Sequence, residues 1–263
     1  MKTGLWVLVL ASAAAWGQDT VSVSFSDPAR PKTVRASLLN GSMTVSGYDG
    51  KEVQIETHGG SQNRRAPRSA EGMKRIDAGG GNVVAEEENN IIRVRGPMNG
   101  SLTMRVPYNT TLKLECTNGG NLKVDHVSGD LELSNLNGDI VVSDVSGSVI
   151  ANSLNGKVHV SFEKIAPDKA MSFTTMNGDV DVTLPADTKA GVRMKSDNGE
   201  AYTDFDIKLS ANASAPVIED GRAKGGKYKV KMEKTTVGTI NGGGPAEFTF
   251  KTFNGNIYIR KKK

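Results

Sequence analysis

The sequence predicts an all-β protein, specifically an elongated β-solenoid or β-roll whose turns of about 20 residues each hold two short strands. The first observation is a recurring Asn-Gly step, with one Asp-Gly step, at intervals of 19, 18, 22, 21, 22 and 21 residues. These steps begin at Asn118, Asn137, Asn155, Asn177, Asn198, Asp220 and Asn241. The second observation is that apolar residues alternate with polar ones between the steps, which is typical of strands with one buried face.

A second turn signal divides each unit. Ser128-Gly129 lies ten residues after Asn118, and Ser146-Gly147 lies nine residues after Asn137. Glycine and asparagine supply the positive φ that sharp turns need. Because Asn-Gly is also a strong hairpin signal, an antiparallel β meander stays open as the alternative fold.

The solenoid is favoured because like residues align when successive units are compared. The positions three and five residues after a step are Ile140/Val142, Val158/Val160 and Val180/Val182. The Asn of each step has the same parity as this inward set, so stacked amides are expected to hydrogen-bond from turn to turn. The predicted ladder comprises Asn118, Asn137, Asn155, Asn177, Asn198 and Asn241.

The chain begins with features of an export signal. Lys2 precedes a short apolar run that ends in small residues, which predicts a signal peptide over residues 1–17. Residues 18–100 carry the period faintly, with a long polar loop expected over 58–82, and are predicted to form an irregular β part or cap. Residues 101–263 are predicted to be the regular repeat region of the same continuous domain, ending in a closing hairpin around Asn254-Gly255.

Composition excludes several classes of protein. A net charge of +4 is too small to indicate a nucleic-acid partner, and later in the chain no apolar run is long enough for a transmembrane segment. The one cysteine, Cys116, cannot form an internal disulfide and is expected to be buried.

One outward column is unexpectedly apolar. The residues just before the steps include Leu136, Leu154, Met176, Ile240 and Phe253, which we predict as a candidate interaction stripe. Thr117 and Asp197 interrupt this column. The alternative is that corner geometry turns these side chains against one another.

Catalytic chemistry has little support. Asp125 and Asp144 are assigned to one column and are the best enzymatic candidates, but no nucleophile, base or metal shell accompanies them. The histidines His58, His126 and His159 fall in different columns, so neither a metal site nor a cofactor is predicted. The protein is therefore expected not to be an enzyme.

Two segments carry a resemblance to a known family. Residues 106–114 (VPYNTTLKL) and 173–185 (FTTMNGDVDVTLP), with the ordered Asn-Gly and Ser-Gly steps, resemble the bacterial putative-adhesin family of β-strand-repeat proteins, a domain of unknown function. The resemblance covers about Val34 to Arg260. It implies an exported, repetitive β protein and brings no catalytic residues.

These observations together predict an exported, non-enzymatic protein of the cell envelope or surface, located in the periplasm, on the outer surface or outside the cell. It is expected to be an adhesin-like binding or scaffold module whose partner is an envelope protein, a glycan or a second copy of itself. The alternative is a carbohydrate-active β-helix enzyme, a polysaccharide lyase or hydrolase. The low aromatic content of 5% disfavours that alternative, because sugar-binding grooves usually contain aromatic side chains.

Overall fold

The computed structural model describes residues 20–58, 83–210, 217–220, 228–231 and 235–263, and every helix or strand found in these ranges is a β-strand. The predicted signal segment 1–17 and nearly all of the predicted loop 58–82 lie outside the described residues. Within the described ranges, no helix has the length and apolar character needed to cross a membrane. In chain order the strands are β1 Thr20–Ser24, β2 Lys32–Asn40, β3 Met43–Tyr48, β4 Glu52–His58, β5 Val84–Glu88, β6 Ile91–Arg95, β7 Ser101–Pro107, β8 Thr110–Asn118, β9 Leu122–Asp125, β10 Ser128–Asn137, β11 Ile140–Asn155, β12 Val158–Ile165, β13 Met171–Thr174, β14 Val180–Leu184, β15 Ala190–Asn198, β16 Ala201–Thr203, β17 Ile207–Leu209, β18 Val217–Asp220, β19 Tyr228–Lys231, β20 Thr235–Ile240, β21 Glu247–Asn254 and β22 Ile257–Lys261.

Strands of successive units pair in parallel, about one unit apart in sequence. In the pair β10–β11, Leu131 lies opposite Val149 and Asn137 lies opposite Asn155. The prediction of an all-β chain is confirmed, and the pairing between units is parallel, unlike that of an antiparallel meander. Twenty of the strands belong to one hydrogen-bonded sheet, and β18 pairs with β19 separately.

The parallel strands fall into two series, which we call face 1 and face 2. A strand of face 1 ends at an Asn-Gly corner, and the strand that follows the corner belongs to face 2. The order of face 1 is β6, β2, β8, β10, the second half of β11, β13, β21 and β15. The order of face 2 is β7, β3, β9, the first half of β11, β12, β14, β22 and β16.

The order of the turns in this stack differs from their order in the sequence. The turn β21–β22 is inserted between β13–β14 and β15–β16, and the turn β2–β3 is inserted between β6–β7 and β8–β9. The predicted closing hairpin at the C-terminus is therefore wrong. Asn254 is in register with Asn177 and Asn198, so Asn254-Gly255 is a corner like the others and places β21 and β22 on different faces.

Antiparallel strands extend the sheet at both ends of the stack. At one end β4 pairs with β7, β1 pairs with β4, and β5 pairs with β6. At the other end β20 pairs with β15, and β17 pairs with β20. Because outermost strands would otherwise offer unpaired backbone groups to other chains, these additions protect β6, β7 and β15. Among the described strands, β16, the last strand of face 2, pairs only with β22.

One hydrophobic core runs between the two faces, and its members are the alternate inward side chains of the strands. Phe173 shows how the faces meet: its ring stacks on Phe250 of the neighbouring strand with centroids 5.3 Å apart, and it meets Phe162 of face 2 edge-on at 6.2 Å. Cys116 is buried in the same core, and burial raises the pKa of its thiol to about 11. That thiol is therefore protonated and poorly reactive at neutral pH.

Candidate functional site

The candidate site is the edge along which face 1 turns into face 2 at the Asn-Gly corners. Backbone hydrogen bonds connect each corner to the next one in the stack: the N–H of Gly138 donates to Asn155 O at 2.9 Å, and the N–H of Gly156 donates to Asn177 O at 2.9 Å. The glycines permit this close approach. A Cβ on Gly156 would lie 2.1 Å from the carbonyl oxygen of Gly138, which no side chain could tolerate.

A ladder of side-chain amides follows this edge. In each step the Nδ2 of one asparagine donates to the Oδ1 of the asparagine in the neighbouring turn. The five steps are Asn137 to Asn118 at 3.2 Å, Asn155 to Asn137 at 2.9 Å, Asn177 to Asn155 at 2.7 Å, Asn254 to Asn177 at 2.7 Å and Asn198 to Asn254 at 2.9 Å. All the donors point the same way along the stack, so the amides form one directional chain.

Asn241 was predicted as a ladder member, and the structure places it elsewhere. Its Nδ2 donates to the carbonyl oxygens of Ala186 and Thr188 at 3.1 and 2.8 Å. The spacing was misleading because β20, which leads to Asn241, pairs antiparallel with β15 and is not a turn of the parallel stack. Asn254, which the predicted ladder omitted, lies in the ladder between Asn177 and Asn198. A separate step joins Asn40 to Asn99 at 3.1 Å.

A buried or partly buried polar side chain lies two residues before most of these asparagines and stabilises the corner from inside. Each donates to the glycine carbonyl of the adjacent turn: Ser153 to Gly138, Thr175 to Gly156, Thr252 to Gly178, Ser196 to Gly255 and Asn135 to Gly120, at 2.8–3.1 Å. These bonds satisfy carbonyls that the tight corners would otherwise leave unpaired. Burial of Asn135 also costs free energy of folding, because its buried Oδ1 has no hydrogen-bond partner in the described part of the chain.

Outside the ladder, four consecutive corners present exposed apolar side chains. Leu136, Leu154, Met176 and Phe253 precede the ladder asparagines and are 41, 38, 46 and 44% exposed. Strand register places them in neighbouring turns, about 4.8 Å apart along the stack. The corner geometry therefore does not turn these side chains into the core, and they form a contiguous apolar row.

Ile240, the fifth residue predicted for this row, is fully buried. It ends the antiparallel strand β20 opposite Ala190 and faces the core. Two residues that the prediction omitted extend the row beyond Thr117, namely Leu39 and Met98, which are 44 and 72% exposed. Both directly precede an asparagine, Asn40 and Asn99, so the same rule could have found them once the stacking order was known. We call Met98, Leu39, Leu136, Leu154, Met176 and Phe253 the corner stripe.

The predicted pair Asp125 and Asp144 lies at a different corner and is not aligned as expected. Asp125 is opposite Ser143, and the residue level with Asp144 is His126. The shift arises at the corner before β9, which has one extra residue: Leu122, four residues after Asn118, lies opposite Ile140, which is three residues after Asn137. A separate irregularity in the pairing of β11 with β12 lies between Val142 and Val145, and Phe162 lies opposite the buried Val145. The Nδ1 of His126 is 2.8 Å from Asp125 Oδ2, and the Asp125 carboxylate raises the pKa of this imidazole above its ordinary value.

The other two histidines are separate from this cluster. His159 lies on face 2, where its Nδ1 is 3.9 Å from Asp181 Oδ2. Asp181 also accepts a hydrogen bond from Arg260 at 2.8 Å, and Arg260 lies over the ring of Tyr258. His58 ends β4, where its backbone carbonyl accepts a hydrogen bond from the Ser101 hydroxyl.

Comparison with known proteins identifies the family. Residues 110–241, half of the chain, match the sequence profile of the Toastrack DUF4097 family. A similar solved structure is a "putative cell adhesion protein" from Clostridium sporogenes, with 12% sequence identity, a TM-score of 0.40, and coverage of 93% of this chain and 100% of that one. No curated protein matches the chain. The resemblance drawn from the sequence is confirmed by the family match, and the chain belongs to the Toastrack DUF4097 family, a domain of unknown function.

Proposed function

We propose that this protein is an exported, non-enzymatic component of the cell envelope or surface, and that it acts as an adhesin-like binding or scaffold module. We further propose that its stacked turns form an elongated β-solenoid, in which residues 18–100 and 101–263 make one continuous domain after removal of residues 1–17. The parallel registers of the described strands support the solenoid. The apolar run with Lys2 before it supports export.

The observation that carries the proposed binding function is the corner stripe. Four neighbouring turns expose Leu136, Leu154, Met176 and Phe253 along one edge. Covering apolar surface is favourable by about 25 cal/mol per Å², so a contiguous row of this kind is a ready contact for an apolar partner surface. The amide ladder beside the row fixes the spacing of these side chains, so that the contact surface is held in shape before the partner binds.

The partner that best fits this stripe is a protein, because leucine, methionine and phenylalanine side chains supply apolar contact area with no hydrogen-bonding groups for a sugar. A rigid row of such side chains suits the apolar strip of a partner strand or helix. A glycan partner or a second copy of the chain is distinguished by the experiment below.

The test is capture of envelope proteins by the purified protein, with a double variant of the stripe. Leu154→Asp/Met176→Asp places two charges in the centre of the row, and we expect it to reduce capture at least about tenfold, as for the central residues of an interface. Leu209→Asp is the matched control, since Leu209 is an exposed leucine on β17, away from the stripe. Circular dichroism melting of all three proteins establishes that they are folded.

Equal capture by the wild type and the double variant would refute the role of the stripe. Capture lost on addition of soluble glycans, in the wild type and the double variant alike, would indicate a glycan contact elsewhere. Concentration-dependent mass in sedimentation, absent from the double variant, would identify a second copy as the partner. Depolymerisation of a polysaccharide that Asp125→Asn or Asp144→Asn abolishes would replace the proposal with the enzymatic alternative.

A further inference from the structure

A second site lies where face 2 bends back toward face 1, away from the corner stripe. Asp125 ends β9, and His126 follows it directly. Asp144 occupies the same position as His126 in the next turn, and both have left-handed backbone conformations, with φ of 52° and 48°. One ligand atom from each of Asp125, His126 and Asp144 can be chosen so that all three lie within 4.8 Å of one another.

The chemistry of this set distinguishes among cations. One imidazole nitrogen and two carboxylate oxygens are the ligand types that Zn²⁺ accepts, at about 2.0–2.2 Å from the metal. Ca²⁺ and Mg²⁺ prefer shells of oxygen atoms only, so the histidine disfavours them. All three side chains are about half exposed, which leaves them free to rotate by the small amount needed to converge and leaves water access to the remaining coordination position.

One member of the cluster, Asp144, already forms an ion pair with a cationic side chain. The ammonium group of Lys262 lies 3.0 Å from Asp144 Oδ1, although the two residues are 118 positions apart in the sequence. The backbone N–H of Lys262 donates to Leu184 O at 2.8 Å, which holds the C-terminal segment beside the cluster. A lysine held in this way neutralises part of the negative charge while no metal is bound.

We propose that Asp125, His126 and Asp144 form a surface site for a divalent transition-metal ion of the Zn²⁺ class, and that Lys262 competes with this ion for Asp144. Binding of the metal displaces the Lys262 ammonium from Asp144. The contact between the C-terminal segment and the turn containing Asp144 is consequently weaker in the metal-bound protein than in the metal-free protein.

The experiment is isothermal titration calorimetry, in which Zn²⁺ alone is added to the full protein purified without a histidine tag. We expect one ion to bind per chain in the wild type. His126→Ala should weaken that binding at least about tenfold, since losing a direct ligand costs no less than the 10–100-fold typical of outer-shell partners. Lys262→Ala should strengthen binding, because it removes the competing charge and leaves all three ligands in place.

His159→Ala is the matched control. This histidine is also exposed beside an aspartate, but Arg260 occupies that carboxylate, and its loss should leave the Zn²⁺ affinity unchanged. Absence of Zn²⁺ binding in the wild type, equal binding by His126→Ala, or weaker binding by Lys262→Ala would each overturn the proposal. Because Lys262→Ala retains every ligand, a strengthened affinity cannot be produced by misfolding.

Discussion

The side-chain amide of Asn155 donates a hydrogen bond of 2.9 Å to Oδ1 of Asn137, its counterpart in the neighbouring turn. The Oδ1 of Asn155 in turn accepts from Asn177 at 2.7 Å, so this one residue supports two steps of the ladder. The relationship connects a local turn residue to the stacking of whole units, which explains why asparagine recurs at the corners.

Replacing Asn155 by alanine should therefore destabilise the fold by about 1–2 kcal/mol, since two partly exposed hydrogen bonds are lost. The measurement is urea unfolding followed by circular dichroism. Asn152→Ala is the matched control, because the Asn152 side chain lies on the exposed side of the same strand and is in none of the side-chain hydrogen bonds described for this part of the chain. This substitution should change the free energy of unfolding by less than about 0.5 kcal/mol. Equal effects of the two substitutions would argue against the ladder.

The close backbone contact between corners predicts a larger loss of stability on substitution of Gly156. Its Cβ position lies 2.1 Å from the carbonyl oxygen of Gly138, so Gly156→Ala must separate two adjacent turns and should cost more than about 2 kcal/mol. Gly191→Ala is the comparison, because the nearest atom to its Cβ position is 3.7 Å away. That substitution should be neutral or slightly stabilising. Thermal unfolding of the two variants measures the difference, and similar melting temperatures would be inconsistent with tight corner stacking.

The ion pair between Lys169 and Asp130 predicts a dependence on pH. Lys169 Nζ lies 2.8 and 2.7 Å from the two carboxylate oxygens and Ser148 donates at 2.6 Å, and these hydrogen bonds lower the pKa of Asp130 below its ordinary value of 3.8. A carboxyl group with a lowered pKa in the folded state stabilises the protein above its ordinary pKa, and this contribution disappears as the pH falls through the lowered pKa.

Lys169→Met should therefore raise the pKa of Asp130 toward its ordinary value, as observed by NMR titration of the carboxyl carbon. The loss of stability at pH 7 should be small, about 0–1 kcal/mol, because both side chains are half exposed. The difference between wild type and variant should shrink as the pH falls through the lowered pKa of Asp130 and vanish once this carboxyl group is protonated in the folded protein. A difference that persists after Asp130 is protonated would show that Lys169 acts through packing instead of charge.

The sequence was sufficient to predict the all-β class, the Asn corners and four residues of the corner stripe, because these depend on local turn chemistry and on alternation within single strands. It was insufficient to predict the order of turns. Asn254 and Asn198 both end face 1 strands at an Asn-Gly corner, so the local sequence would allow either of them to stack on Asn177. The structure places Asn254 there, and the position of β21–β22 therefore depends on contacts between segments that are distant in the sequence.

Three site residues were misplaced, for two separate reasons. The spacing of Asn241 matches the period, but its strand runs antiparallel, so Ile240 faces the core. One extra residue between Asn118 and Leu122 moved Asp125 out of the column of Asp144 and put His126 in its place. The sequence does contain this extra residue, since Leu122 follows Asn118 by four residues and Ile140 follows Asn137 by three, but the count from each asparagine did not carry it forward to Asp125.

The inserted turn is the central structural claim, and one cross-linking measurement tests it directly. In a Cys116→Ser background, Met176→Cys/Phe253→Cys places two exposed thiols on adjacent turns, where Cα atoms lie about 4.8 Å apart, within the range of a disulfide. In Met176→Cys/Asp197→Cys the two residues lie two turns apart, and their Cα atoms are about 9–10 Å from each other, which is too far for a disulfide. We predict that mild oxidation forms an intramolecular disulfide in the first variant and none in the second, as read by mass spectrometry. A disulfide between positions 176 and 197 but not between 176 and 253 would show that the turns stack in sequence order and would contradict the structure.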